Sequence, residues 1–497
     1  MWPDNETTID FLNFTSVADT VAEIIVQAEG RPISIGVSGA WGVGKSSMIK
    51  LIRASLEQRD GKDAAKAKYV YVEFNAWLYQ GYDDVRAALL EIIASALKAE
   101  AEKRQFASAG AAVIEDVKRA RLRPVPRAWD LLSFAFSIVV ADFAVLRSKS
   151  PDGWTRELDL VVGVNDPAFW KSQKQLVESM MRFLTTDCWT FEFAKAPFDV
   201  PSEKVKRPTE ECVTLLSGGI DSLVGTLDLV AQGSKPLAVS QIVLGEAEKQ
   251  SLFAKEIGAG LRHLQLNHNA SSPGENERSQ RSRSLIFLTY GTLAATSLRS
   301  YEQGGTIPLY VSENGLISIN PPLTDARLGG LSTRTTHPVF MALVQQLLEN
   351  AGLRVELRTP YRFRTKGEML SECRDQEYLR KRAHEAISCG RYRRYGFRHC
   401  GRCVPCLIRR AAFVRWKQKD KTDYVYSELR RDDPDHARYN DVRSAALALA
   451  TIEDEGLDSV LGASLASDLI EDKAAYREVV ERGMKELKKF LNRAGVL

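Results

Sequence analysis

The chain has 497 residues, a formal net charge of +4, 44% hydrophobic residues and only 18 prolines. That length is too great for one hydrophobic core and implies two to four domains, while the composition excludes a disordered or low-complexity chain. The best apolar run, Leu131 to Leu146, is cut by Asp142 and followed by Arg147, so no membrane span is expected. The start, Met1-Trp2-Pro3-Asp4-Asn5-Glu6, lacks a basic segment leading into an apolar one, and a cytoplasmic protein without membrane partners is the expectation.

Residues 31–38 form an apolar run bounded by turn residues and read as a buried parallel strand. It feeds into Gly39-Ala40-Trp41-Gly42-Val43-Gly44-Lys45-Ser46, which matches G-x4-G-K-S, and then into a helical pattern. In such a loop Gly39 and Gly44 let the backbone cradle phosphate, Lys45 reaches the β and γ phosphates, and Ser46 faces Mg2+. A second strand is predicted over 69–74 and an amphipathic helix over 83–99. With Trp41 in the loop and Phe74-Asn75-Ala76-Trp77 on the next strand, the segment resembles the beginning of a KAP-family P-loop NTPase. The resemblance ends near residue 105. No Walker B carboxylate follows an apolar strand there, and Asp166, the one candidate, reads better as the end of a strand in the next domain. Residues 1–110 are therefore expected to be a truncated NTPase domain that binds nucleotide weakly and does not turn it over.

Residues 111–126 are rich in Ala, Lys and Arg, close on Pro124 and Pro126, and read as a linker. Residues 127–205 alternate apolar and polar side chains around Trp154 to Val164 and Trp189 to Phe193, which predicts a small mixed or β-rich domain. Residues 206–430 repeat strand then helix, with strands at 212–216, 237–243, 263–267, 307–311 and 355–358. That order implies a parallel sheet wound by helices. Residues 431–497 read as helices, with Val479, Val480, Met484, Leu487 and Leu491 on one face.

Ser217-Gly218-Gly219-Ile220-Asp221-Ser222 follows an apolar strand and precedes a helical run. Two glycines let the backbone turn and approach an anion, and the helix start supplies free N–H groups and a positive dipole end. Ser217 and Ser222 add hydroxyls to the same cradle. Asp221 is placed to orient Mg2+ or the phosphates. The hexapeptide resembles the PP-loop of ATP-pyrophosphatases, in which ATP is cleaved to an adenylate and pyrophosphate.

Of seven cysteines, Cys389, Cys400, Cys403 and Cys406 form C-x10-C-x2-C-x2-C, with Gly401 and Pro405 at the turns. Closely spaced thiols on tight turns suit tetrahedral Zn2+, and four ligands make a closed structural site. His399 is a candidate replacement for one thiolate. Arg391, Arg393, Arg394, Arg398, Arg402, Arg409 and Arg410 lie in the same stretch with no acidic residue among them.

Together, the loop at 217–222, Cys389, the run Cys400 to Cys406 with Arg409, the Arg283-Ser284 pair and Thr365-Lys366-Gly367-Glu368 resemble the 7-cyano-7-deazaguanine synthase (QueC) family over about 206–425. The resemblance implies a PP-loop fold of the HUP type with a zinc knuckle, with the small mixed α/β domain and the partial P-loop domain in front of it. It also implies an ATP-, Mg2+- and zinc-dependent enzyme that adenylates 7-carboxy-7-deazaguanine and forms an amide, then a nitrile. ATP would sit on Ser217, Gly218, Gly219, Asp221 and Ser222, with Arg283 nearby, and the four cysteines would hold zinc. The longer first cysteine spacing, the segment from Glu313 to Pro338 and the added domain with Ser150 to Arg156 depart from the biosynthetic form and look like the QueC-like component (QatC) of the Qat antiphage defence system. That system also contains a KAP-family ATPase, so other Qat proteins are expected partners, and the amine acceptor is open between ammonia and a protein.

Two other classes remain. Tyr392, Tyr395 and Phe397 interleave with the arginines and would suit base stacking in a nucleic-acid-binding zinc ribbon, although the same rings can pack a zinc knuckle. A scaffold without turnover has no need of Asp221 and two serines around a Gly-Gly turn. His337 and Glu313 are candidate pocket residues, with a turn or cap role as the plainer reading.

Overall fold

The computed structural model of the chain describes residues 10, 13–28, 35–38, 45–60, 112–196, 205–268, 276–277, 279–323, 334–429 and 440–497. It divides into two compact units, Met1–Ala107 and Ser108–Leu497.

In the first unit, α1 (Thr15–Gln27) and α2 (Lys45–Asp60) pack through Ala18, Met48 and Leu51, with Phe14, Val37 and Ile52 around them. Asp10 accepts from the backbone of Phe14 and Thr15 and so starts α1. Lys45 and Ser46 open α2, as the phosphate-loop reading requires. Gly39 and Gly44, the predicted strand at 69–74 and the predicted helix at 83–99 lie outside the described residues. Residues 35–38, the described end of the first predicted strand, form no strand among the described residues. A ladder needs a paired neighbour, and the neighbour predicted for it lies outside them.

The second unit begins with α3 (residues 112–119) inside the stretch read as a linker. Val113 and Val117, four apart on one face, are fully buried, so part of that stretch has a core-facing side that its Lys and Arg content masked. Next come α4 (Pro126–Ala144), β1 (Glu157–Val164), α5 (Pro167–Ser172), α6 (Lys174–Thr185) and β2 (Cys188–Lys195). The two strands pair in parallel with Glu157 opposite Cys188. Trp189, Phe191 and Phe193 point to the buried side of β2, where Phe134 of α4 meets Phe191 at 5.1 Å and Trp170 at 5.5 Å between ring centroids. The alternation predicted strands correctly, and the long apolar helix α4 makes the layer α/β. No helix among the described residues is long and apolar enough to cross a membrane. Asp166 caps α5 by accepting from Phe169 N and pairs with Arg127 at 2.7 Å, so it is a helix cap after a strand.

The main sheet has five parallel strands in the order β5-β4-β3-β6-β7, with β3 (Cys212–Leu215), β4 (Pro236–Gln241), β5 (His263–Leu266), β6 (Ile307–Tyr310) and β7 (Val355–Arg358). Every predicted strand is present, shorter by one or two residues where its carboxyl end turns into a loop. The helices are α7 (Ile220–Ala231), α8 (Ala247–Glu256), α9 (Arg283–Ala295), α10 (Arg299–Glu302), α11 (Gly315–Ile319), α12 (Pro338–Asn350), α13 (Lys366–Glu372), α14 (Gln376–Arg382) and α15 (Val404–Trp416). β3 and β4 are buried on both faces, as strands covered by helices must be. The C-terminal α16 (Asn440–Glu455), α17 (Leu457–Leu461) and α18 (Lys473–Arg493) join α11 and α15 in one apolar cluster that includes Leu316, Leu407, Val479, Val480, Met484, Leu487 and Leu491. The switch point of this sheet lies between β3 and β6, where chain connections leave in opposite directions and a ligand crevice opens at the strand carboxyl ends.

Candidate active site and metal centre

The loop after β3 sits at that switch point. Gly218 has φ +84°, a left-handed conformation that favours glycine, and Gly219 caps α7. Ser217 and Ser222 hydroxyls meet at 3.0 Å, Gly219 N donates to Ser217 Oγ at 3.2 Å, and Ser222 Oγ donates to Gly219 O at 2.9 Å. Ile387 N donates to Gly218 O at 2.9 Å and Gln250 Nε2 to Ser217 O at 3.2 Å, so the turn is pinned from two neighbouring elements. The result is a rigid loop with hydroxyls and a helix start directed at one place, the arrangement that holds an anion.

Asp221, in the first turn of α7, is 6% exposed. Lys366 Nζ binds its Oδ1, and Asn314 Nδ2 donates to its Oδ2 at 2.7 Å. Asn314 reaches it as the N-cap of α11, and Lys366 from the capping box that starts α13, where Thr365 accepts from Glu368 N. Burial pushes the Asp221 carboxyl up, but the Lys366 ammonium and hydrogen bonds from Glu313, Lys366 and Asn314 outweigh it and hold Asp221 below the ordinary carboxylate range. Glu313 is driven the other way, well above its usual value, by burial and then by the Asp221 charge, and its Oε1 accepts from Asn314 Nδ2 at 3.0 Å.

This arrangement bears on the Mg2+ expectation. A bound Mg2+ draws on one or two carboxylates plus substrate phosphates. Here Asp221 Oδ1 accepts from Lys366 and Oδ2 from Asn314, so direct coordination by Asp221 would have to displace one of these donors. Lys366 is the residue that the site reading passed over. The Thr-Lys-Gly-Glu run was legible, but its partner lies 145 residues away in sequence.

Arg283 opens α9 and is exposed. Its approach is set by buried charge: Asp142 at the end of α4 accepts from the backbone of Arg281 (2.8 Å) and Ser282 (3.0 Å) and from Arg156 (2.7 Å). Arg156 also binds Asp187, which pairs with Arg147 at 2.8 Å. His337 caps α12 through Val339 N and contacts Ser464 O, and burial lowers it to about 4. It is a structural cap.

The sulfurs of Cys389, Cys400, Cys403 and Cys406 all lie within 4.8 Å of one another, buried, with two pairs at 3.9 Å. A tetrahedral ion with about 2.3 Å bonds to sulfur places its ligands about 3.8 Å apart, so the four thiols fit Zn2+. Backbone N–H groups of Arg391, Cys400 and Cys403 donate to these sulfurs at 3.3 Å, which favours thiolates. His399 Nε2 instead accepts from Ser388 N at 3.2 Å, so it is no ligand and the alternative set falls away. Tyr392, Tyr395 and Tyr424 pack the cluster.

Most of the arginines there are engaged. Arg409 is fully buried and donates to Ala383 O and Ala386 O, Arg398 pairs with Asp423, Arg391 with Asp441, and Arg410 donates to Gly401 O. Arg402 lies 3.8 Å from the centre of the Tyr426 ring. The stretch that looked electropositive in sequence is partly neutralised in space, which removes much of the support for a nucleic-acid surface.

No curated protein and no solved structure matches the chain. Two family descriptions match parts of it, and both imply use of ATP. The first reaches residue 157, well past the end near residue 105 expected from sequence, and so takes in α3 and α4. The second includes Lys366 and all four clustered cysteines but not the loop at 217–222. Residues 14–157 match the KAP family P-loop domain, and residues 335–417 match the queuosine biosynthesis protein QueC.

Proposed function

We propose that the chain is an ATP-dependent enzyme of the PP-loop type that adenylates a 7-carboxy-7-deazaguanine-like carboxylate and passes the acyl group to nitrogen. The observation that carries this is the loop at 217–222 at the sheet's switch point, with the Lys366 ammonium held beside it by Asp221. A substrate carboxylate oxygen attacks the α phosphorus of ATP and the bond to the β phosphate breaks, releasing pyrophosphate. An amine then attacks the acyl-adenylate and AMP leaves. Backbone N–H groups at the start of α7 hold the departing pyrophosphate, and Ser217 and Ser222 orient it. Lys366 supplies positive charge as the phosphates separate, and Glu313 and Asp221 keep that ammonium in place. Arg283, which opens α9, lies close enough to Glu246 to oppose the rise of its carboxyl.

The four thiolates of Cys389, Cys400, Cys403 and Cys406 would hold a structural zinc that fixes the loop leading from Ile387, whose N–H supports Gly218. Mg2+ would enter with the nucleotide's phosphates, and no step depends on it here. Residues 14–157, which match the KAP family P-loop domain, carry Gly39, Gly44, Lys45 and Ser46 as a second, weak nucleotide site. The setting is antiphage defence of the Qat type, in the cytoplasm, with a partner protein as the amine acceptor. This setting rests on the pairing of KAP-like and QueC-like segments in one chain.

The test is pyrophosphate release from ATP with and without 7-carboxy-7-deazaguanine, for wild type, Asp221→Ala and Lys45→Ala. Substrate-dependent release lost in Asp221→Ala and kept in Lys45→Ala supports the assignment. Phosphate release lost in Lys45→Ala, with no pyrophosphate under any condition, would place the chemistry on the other loop.

A further inference from the structure

Glu246 caps α8 beside the phosphate loop: a Cβ on Gly218 would lie 3.6 Å from Glu246 O and 3.9 Å from its Cβ. The residue is partly buried, yet its carboxylate makes no hydrogen bond among the described residues. Burial raises it and the charge of Arg283 opposes that rise. Tyr392 of the cysteine loop lies close enough to feel its charge. A partly buried carboxylate without a protein hydrogen-bond partner among the described residues, at the carboxyl end of a parallel sheet, is an acceptor available to a ligand.

A second observation lies next to it. Phe397 is 39% exposed and has φ +62°, a conformation costly for a bulky side chain. Its ring presses on Gly245, where an added Cβ would come 2.3 Å from Phe397 Cδ1, and Leu244 beside it is 68% exposed. The chain accepts backbone strain and spends a glycine to keep an aromatic face next to an unpaired carboxylate.

We propose that Glu246 reads the base of the substrate, its two oxygens accepting the adjacent ring N–H and exocyclic amine of a guanine-type edge while Phe397 covers the ring face. This rests on the PP-loop reading of the crevice. The chemistry selects the base: a guanine edge presents two neighbouring donors to a carboxylate, whereas adenine places an acceptor nitrogen beside its amine and would be repelled. Reading such an edge by hydrogen bonds with an aromatic wall on the ring is a general way to hold an isolated base. Glu246 is thus assigned to the carboxylate substrate and not to ATP.

The experiment is calorimetric titration of the full chain with 7-carboxy-7-deazaguanine and with its analogue lacking the 2-amino group, using wild type, Glu246→Gln and Phe397→Leu. Wild type is expected to prefer the parent compound by about 10- to 100-fold. Glu246→Gln, which is isosteric, should weaken the parent by a similar factor and erase the preference. Phe397→Leu should weaken both ligands about tenfold and keep it. A wild type that binds the two ligands equally or binds neither, or a Glu246→Gln variant that still discriminates, overturns the proposal. Discriminating binding without pyrophosphate release would instead overturn the adenylation chemistry and leave this assignment standing.

Discussion

Replacing Lys366 with methionine tests the centre of the site. The side chains of both partners of the Lys366–Asp221 pair are 8% exposed, so the substitution leaves a carboxylate in low dielectric with Asn314 as its remaining hydrogen-bond donor. Removing one partner of a buried pair costs about 3–5 kcal/mol, whereas a neutral pair of similar shape restores much of it. Asp221→Asn combined with Lys366→Met should therefore lie about 2 kcal/mol or more above the Lys366→Met single variant, a coupling large enough to read from a double-mutant cycle. Asp221 is depressed in the folded chain, so its contribution is present above its unfolded value near 3.9 and is lost as pH falls through its lower folded value. Without Lys366 burial prevails and the carboxyl shifts up, so the gap between wild type and Lys366→Met is widest near neutrality and narrows on acidification. Urea unfolding of the full chain followed by tryptophan fluorescence, at several pH values, measures all of this. A Lys366→Met cost below about 1 kcal/mol, or a double variant no more stable than the single one, refutes the argument.

Cys406→Ser should lower the zinc content of the purified chain from one ion and reduce its melting temperature, because a four-thiolate site contributes directly to folding; full zinc occupancy in that variant, measured by elemental mass spectrometry, would sink the metal assignment. Glu486 of α18 accepts from Thr365 Oγ1 at 2.6 Å, and its carboxyl is pushed up to about 7, chiefly by burial. A raised carboxyl contributes stability that is present below its unfolded value near 4.5 and is lost as pH rises through about 7. The melting temperature of wild type should accordingly fall relative to Glu486→Gln between pH 5 and 8, and a constant difference across that range would contradict the burial of this group.

Several elements were legible because their signals are local. The five strands of the main sheet are short apolar runs between turn residues, and the cysteine spacing is a chain-local constraint that brings its own ligands together. The loop at 217–222 needed only its two glycines, its serines and the flanking strand and helix pattern. The reading of 111–126 as a linker missed α3 because two buried valines are a weak pattern against many basic residues. His399 looked like a ligand because proximity in sequence says nothing about which way an imidazole turns.

The sequence by itself determined the sheet-and-helix order, the glycine and serine loop at 217–222 and the four-cysteine cluster, since each is decided by residues within a few positions of one another. Only the tertiary structure decided which charges meet. Lys366 at the start of α13 and the adjacent Glu313 and Asn314 of the loop between β6 and α11 converge on Asp221, and Asp142 and Arg156 set the approach of Arg283 from another layer. The arginines that seemed free find Asp423, Asp441 and backbone carbonyls. Coulomb energy and hydrogen bonding depend on distance and burial in space, which sequence separation does not encode.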